Sequence, residues 1–173
     1  MAITTDRLII KPFEKLDFRY FLSLNQDEEI MRYFDEGVKS MPKLKERFEE
    51  ILAHQKKYNF SYYNFFLKDT NEYIGQGGPY YNFDMSVNVC YGLLKKFQKR
   101  GYAFEALKSI LDDTFKNFQI SEVQIRTAVE NVDSINLAKK LGGVELKRTK
   151  AYSGLNVIYY KVNKKDFYGI KNF

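Results

Sequence analysis

The sequence predicts a mixed α/β (α+β) domain in which a central mixed sheet of about seven strands is flanked by helices on both faces. Three observations carry this. Stretches of two-residue and of helical periodicity follow in the order β-α-α-α-β-β-β-α-β-α-β-β, with no repeat, low-complexity tract or linker among them. Residues 86–129 read as strand, glycine turn, helix, strand, a βαβ unit that sets two parallel neighbours in one sheet. A chain of 173 residues that is 45% hydrophobic can bury one sizeable core, so 1–173 is expected to be a single domain.

"RLIIKPF" (Arg7–Phe13) is β-branched and closed by Pro12, a first strand. "DFRYFLSLN" (Asp17–Asn25) offers Asp17 as N-cap and sets Phe18, Phe21 and Leu22 at helical spacing. "DEEIMRYF" follows as a short helix capped at Asp27, with acids in its first turn. "MPKLKERFEEILAHQKKY" has Pro42 near its start and a stripe through Leu44, Phe48, Ile51, Leu52 and Gln55. "SYYNFFLKDTNEYIGQGG" reads as a hairpin turning at Lys68–Glu72, with Ile74–Gly78 as a strand end or bulge near the substrate groove. Ser86–Leu94 is a strand, and 102–118 is a helix with Ala106, Leu107, Ile110, Leu111, Thr114 and Phe115 on one side. Glu122–Val129 alternates as a strand. "DSINLAKKLGG" is a helix capped at Asp133 and stopped by Gly142 and Gly143. A hairpin about Ser153–Gly154 closes the chain, and its aromatic "NVIYYKV" reads as an edge strand able to pair in a dimer, which leaves monomer and homodimer both open.

Composition excludes several classes. Lys and Arg number 28 against 22 Asp and Glu, a net +6 that favours anionic ligands, but the basic residues are scattered and do not form a nucleic-acid-binding arm. With one cysteine, Cys90, no internal disulfide can form, and with one histidine, His54, a structural zinc site has too few ligands. Cys90 reads as a small buried hydrophobe, and His54 as the polar edge of its helix with no partner. The N-terminus lacks a signal peptide's apolar stretch and no segment can span a bilayer, so a cytoplasmic protein is expected. The 14 tyrosines and 15 phenylalanines, without tryptophan, fit either aromatic pocket walls or a coding bias toward A+T.

"FQKRGYAFEAL" (Phe97–Leu107) is the most informative stretch. It sets Gln98, Lys99, Arg100 and Gly101 at a helix start, where unpaired N–H groups and the macrodipole attract anions and a glycine admits close approach. That describes a phosphate site; a solvated surface turn has the same composition. Glu105 in the first turn compensates the dipole.

At this point the chain resembles a known family, the GNAT superfamily of acyl-CoA-dependent N-acyltransferases, in its ribosomal-protein and small-amine N-acetyltransferase branch. "TDRLIIKPFEKLDFRYFLSLNQDEEIMRYF" is similar to that branch's opening strand and helix pair. "VCYGLLKKFQKRGYAFEAL" is similar to its central strand and Q/R-x-x-G-x-G/A turn, and "VENVDSINLAKKLGG" to its Asn-x-x-Ser helix ending in Leu-Gly. The resemblance implies acetyl-CoA as co-substrate. Its pyrophosphate would lie on backbone N–H groups of Gln98, Lys99, Arg100, Gly101, Tyr102 and Ala103, and its pantetheine arm beside the main chain of Tyr91, Gly92 and Leu93. Asn131 would bond the cofactor. Ser134 would protonate the departing thiolate, or else merely cap the helix beside Asp133.

Three departures from the family pattern stand out. Asn88 occupies a position where this branch often carries a glutamate base. Ala138 stands where other members place a tyrosine before Leu-Gly, and Gly143 replaces a phenylalanine after it, at some expected loss of core packing. Glu130, Asp84, Tyr80 and Tyr81 are the other residues that could serve as base, or they are plain surface and capping groups. No Cys–His or Ser–His pair is visible, so direct transfer to an amine is expected, without an enzyme-bound acyl group. The acceptor is left open between a small amine and a protein N-terminus: the acids of "DEEIMRYFDEG" suit a cation, while "KSMPKLKERFEE" is mixed. A catalytically impaired acyl-CoA-binding domain is the alternative from a different class.

Overall fold

Among the described residues eight strands, numbered β1 to β8 along the chain, form one sheet in the order β1-β2-β3-β4-β5-β6-β8-β7. The computed structural model describes residues 1–34 and 37–169; Asp35 and Glu36, two of the acids noted above, lie outside them. The strands are β1 (Ile3–Thr4), β2 (Leu8–Pro12), β3 (Tyr63–Leu67), β4 (Tyr73–Tyr81), β5 (Val87–Leu93), β6 (Glu122–Ala128), β7 (Val144–Lys150) and β8 (Asn156–Asn163). The helices are α1 (Phe18–Asn25), α2 (Glu28–Met31), α3 (Met41–Tyr58), α4 (Tyr102–Asn117), α5 (Val132–Lys140) and α6 (Lys164–Gly169). The strand beyond the expected seven is the two-residue β1, too short for a period-two pattern to reveal. All neighbours are antiparallel except β5 and β6, which α4 joins.

The helices bury two separate cores, one on each face of the sheet. On one face Phe13, Phe21, Leu44, Phe48 and Ile51 join β2, α1 and α3. On the other, the six residues expected along α4 are all buried, and five of them share one core with Val87 and Val89 of β5 and Ile125 of β6. Side chains along β5 therefore alternate between these cores. Val87, Val89, Tyr91 and Leu93 turn to the α4 face, and a Cβ built on Gly92 meets Leu24 and Ile30 of the α1–α2 face.

Several local expectations are corrected. "NVIYYKV" lies within β8, an interior strand between β6 and β7, because the closing hairpin folds β7 outward to the edge. Ile74–Gly78 is the middle of β4, where β4 and β5 approach so closely that a Cβ on Gly75 collides with the Gly92 carbonyl. Asp17 makes no cap bond to α1; its carboxylate accepts from the Glu14 N–H at 2.8 Å and Asn64 Nδ2 at 3.0 Å. The cap of α5 is Asn131, not Asp133. Gly143 leaves no packing defect to fill, since a Cβ there would lie 2.6 Å from the Ala138 carbonyl oxygen.

His54 differs most from its reading. It is buried rather than at a polar edge, with Nδ1 3.0 Å from the Phe60 carbonyl and Nε2 accepting the Tyr81 N–H at 3.0 Å. That geometry uses the neutral ring with its proton on Nδ1, and burial pushes its pKa down. It links α3 to the start of β3 and the end of β4.

Candidate active site

The parallel contact between β5 and β6 is brief, only Asn88 with Gln124 and Val89 with Ile125. Beyond Val89 the two strands part, and a cleft of about 770 Å³ opens between them. It is bounded by α2, the end of β5, the start of α4 and the start of α5. From Cys90 onward the edge of β5 facing β6 has no partner strand, while its other edge stays paired to β4 through Leu93.

The turn at the head of α4 faces this cleft. Lys99 (φ 60°) and Gly101 (φ 81°) are both left-handed, the conformation Gly101 adopts without strain. This reversal keeps the next N–H groups out of the preceding turn. Among the described residues no acceptor meets the backbone N–H groups of residues 99–104. Consecutive free donors at a helix start are a ready anion cradle. The Gln98 N–H is not among them, because it donates to the Lys95 carbonyl at 3.2 Å. Instead the Gln98 side chain braces the strand end, with Nε2 donating to the Leu93 carbonyl at 2.9 Å.

Tyr91, Gly92 and Leu93 line the cleft, as do Gln98, Lys99 and Gly101. Tyr102 and Ala103 line it from α4, Asn131 and Ser134 from α5. Arg100 and Asn88 do not. Arg100 is exposed, and Asn88 sits on the α1–α3 side of β5 with Nδ2 donating to Asn82 Oδ1 at 3.1 Å and its own oxygen buried without a partner. Nor do the other candidate bases reach the cleft. Asp84 closes a turn onto Ser86, Tyr80 stacks on His54, Tyr81 gives its N–H to His54, and Glu130 is exposed. Cys90 is a half-buried lining residue rather than a core one.

Ser134 is buried at 8% exposure, and its backbone N–H donates to Asn131 Oδ1 at 3.1 Å. The side-chain hydroxyl has a second partner that sequence reading missed: the Tyr91 O–H donates to Ser134 Oγ at 2.8 Å. Since Tyr91 donates, the proton of Ser134 is left to point elsewhere. Burial raises the Tyr91 phenol above its usual range, so it remains a neutral donor. Ala138, by contrast, is fully buried, and no side chain from that position enters the cleft. Tyr91 supplies a tyrosine hydroxyl from the neighbouring strand instead.

Comparison with known proteins identifies the class of protein to which this fold belongs. Residues 7–144 match the acetyltransferase (GNAT) domain, and the chain belongs to that family. The chain is 29% identical over 143 residues to the uncharacterized N-acetyltransferase YnaD of Bacillus subtilis (strain 168), covering 82% of each. Among solved structures it resembles spermidine N-acetyltransferase from Vibrio cholerae in complex with CoA and spermine, with TM-score 0.76, 20% identity, and 95% and 99% of the two chains covered. It also resembles the acetyl transferase of Salmonella typhimurium that modifies the N-terminal serine of a 50S ribosomal subunit protein, with TM-score 0.76, 16% identity, and 94% and 99% covered. At these identities the two structures speak to the fold. Among the described residues no helix is long and apolar enough to cross a membrane, and no cluster of three metal-ligating side chains occurs.

Proposed function

We propose that this chain, acting as one unit over residues 1–173, transfers acetyl from acetyl-CoA directly to a primary amine, on a small molecule or a protein N-terminus. The observation that carries the reading is the run of unpaired N–H groups at 99–104, at the mouth of a cleft opened by parting strands. These groups would hold the pyrophosphate, helped by the charge of Lys99. The free edge of β5 would take the pantetheine amides as a further strand does. Ser134, aimed by Tyr91, gives its proton to the sulfur as the C–S bond breaks.

The lining holds no base in the place where the family often has one. The acceptor must then reach the site neutral and lose its second proton to water. Neutralising an α-amine of pKa about 8 at pH 7 costs ~1.4 kcal/mol, whereas an alkyl amine at about 10.4 costs ~4.6 kcal/mol. α-Amines are therefore the first acceptors to screen. Asn88, tied to Asn82, also favours a second reading, a CoA-binding domain with impaired turnover.

The test is calorimetric titration of acetyl-CoA into the protein and into a Gly101→Glu variant, which sets a strained, anionic side chain in the cradle. Binding of about one equivalent, lost in the variant, supports the cofactor site. Thiol release with an α-amine panel then separates the enzyme from the impaired domain. A folded protein that binds no acetyl-CoA ends both readings.

A further inference from the structure

Arg7 stands just before β2, far in sequence from the turn at the head of α4, yet its side chain reaches that turn. Nε donates to Glu105 Oε2 at 2.6 Å and Nη1 donates to the Arg100 carbonyl at 3.0 Å. The guanidinium lies 4.5 Å from the centre of the Tyr102 ring, and Nη2 is 3.3 Å from where a Cβ on Gly101 would sit. Glu105 is fixed in turn. Its Oε1 accepts from the Thr5 hydroxyl at 2.6 Å and the Arg7 N–H at 2.9 Å, and its side chain is only 17% exposed. Burial opposes the charge of Glu105, but these bonds hold its pKa below the usual carboxylate range.

The consequence lies in one peptide plane. Carbonyl and N–H of a trans peptide point in opposite directions. Holding the Arg100 carbonyl on Arg7, outside the cleft, turns the Gly101 N–H toward the cleft that Gly101 lines. The same turn carries a left-handed non-glycine residue, Lys99, a conformation that persists only where its surroundings enforce it. We infer that Arg7, anchored by Glu105, is a positioning residue for the pyrophosphate of the co-substrate: it fixes the Arg100–Gly101 peptide so that the N–H cradle is formed before the ligand arrives. This rests on the cofactor site proposed above. Neither strand pattern nor helix pattern assigns Arg7 this part. Glu105 is more than a dipole-compensating residue, because it ties the first hairpin to the cradle.

The test compares two ligands that differ in the group Arg7 serves. Coenzyme A carries the pyrophosphate together with its 3′-phosphoadenosine; pantetheine lacks both. Affinities of wild type, Arg7→Ala, Arg7→Lys and Glu105→Gln are measured by calorimetry for CoA and by NMR titration for pantetheine, with thermal melts alongside. Arg7→Ala is expected to weaken CoA about tenfold or more, as loss of a charged hydrogen-bonding group does, and to leave pantetheine unchanged. Arg7→Lys should recover only part, because an ammonium cannot make the Glu105 bond, the Arg100 bond and the Tyr102 stack together. Glu105→Gln, which keeps the shape, should weaken CoA by a smaller factor in the same pattern. Unchanged CoA affinity in Arg7→Ala overturns the inference. Equal loss of both ligands also overturns it, since that marks general support of the fold. A wild type that binds pantetheine but gains nothing from the pyrophosphate overturns it through the cofactor reading beneath.

Discussion

The Tyr91–Ser134 pair makes a quantitative claim about proton supply. If Ser134 donates to the departing sulfur and Tyr91 only aims it, the two act in series. Tyr91→Phe removes one neutral hydrogen bond of 2.8 Å and keeps the ring that packs against the α4 core. Such a bond contributes ~0.5–1.5 kcal/mol, so kcat should fall by about 2- to 12-fold. Ser134→Ala removes the donor itself. General acids contribute about 10²–10⁴-fold, and the low end applies here, because a thiol of pKa about 8.5 departs readily even unprotonated. The double variant should then be no slower than Ser134→Ala, since aiming a missing hydroxyl does nothing. The assay is thiol release at saturating amine, using the best acceptor of the panel, with KM for acetyl-CoA recorded beside kcat. KM should stay constant, because the cradle and the strand edge are main-chain groups. Wild-type kcat in Tyr91→Phe would refute the reasoning, and so would a double variant slowed by the full product of the single effects.

Two further outcomes follow from the structure. His54 has its pKa depressed by burial below the ordinary 6.5, so its contribution to stability is complete above 6.5 and is lost as pH falls through the folded value; the melting temperature should drop on acidification from pH 7 to 5, His54→Gln should flatten that drop, and an identical slope in both proteins sinks the assignment. Ala138→Tyr restores the residue type the family often places there, but the site is fully buried, so overpacking should cost about 1–3 kcal/mol or more without raising kcat, as melts and thiol-release rates together will tell.

What was legible in the sequence is what local pattern encodes. The buried stripe of α4 was readable because helical periodicity follows from the burial of one face, and the turn before it because Gly101 takes a left-handed conformation that glycine adopts without strain. The cap of α5 was misassigned because Asn131 and Asp133 are both good caps, two residues apart, and only the backbone path decides between them. His54 was unreadable for another reason. Its partners are the Phe60 carbonyl and the Tyr81 N–H, main-chain groups with no signature in residue type. Arg7 with Glu105 is separated by 98 positions, and Tyr91 with Ser134 by 43, so each pair exists only through the order of strands in the sheet.

That strand order also explains why a missing base need not mean a missing acid. Tyr91 and Leu93 leave β5 toward the α4 face, where Ser134 and the cradle lie, while Asn88 and Gly92 leave it toward the α1–α3 face. Side chains of the strand thus divide by parity: Tyr91 meets Ser134 on one face, and Asn88 meets Asn82 on the other. Asn88 departs from the family on the even side alone. No contact of Tyr91 or Ser134 passes through it, because its amide is engaged by Asn82 across the β4–β5 turn. The residue at position 88 therefore leaves the Tyr91–Ser134 bond and the free N–H groups at the head of α4 untouched. On the function proposed above, what changes is the demand on the acceptor, which arrives already neutral, so that selection falls on the pKa of the amine offered.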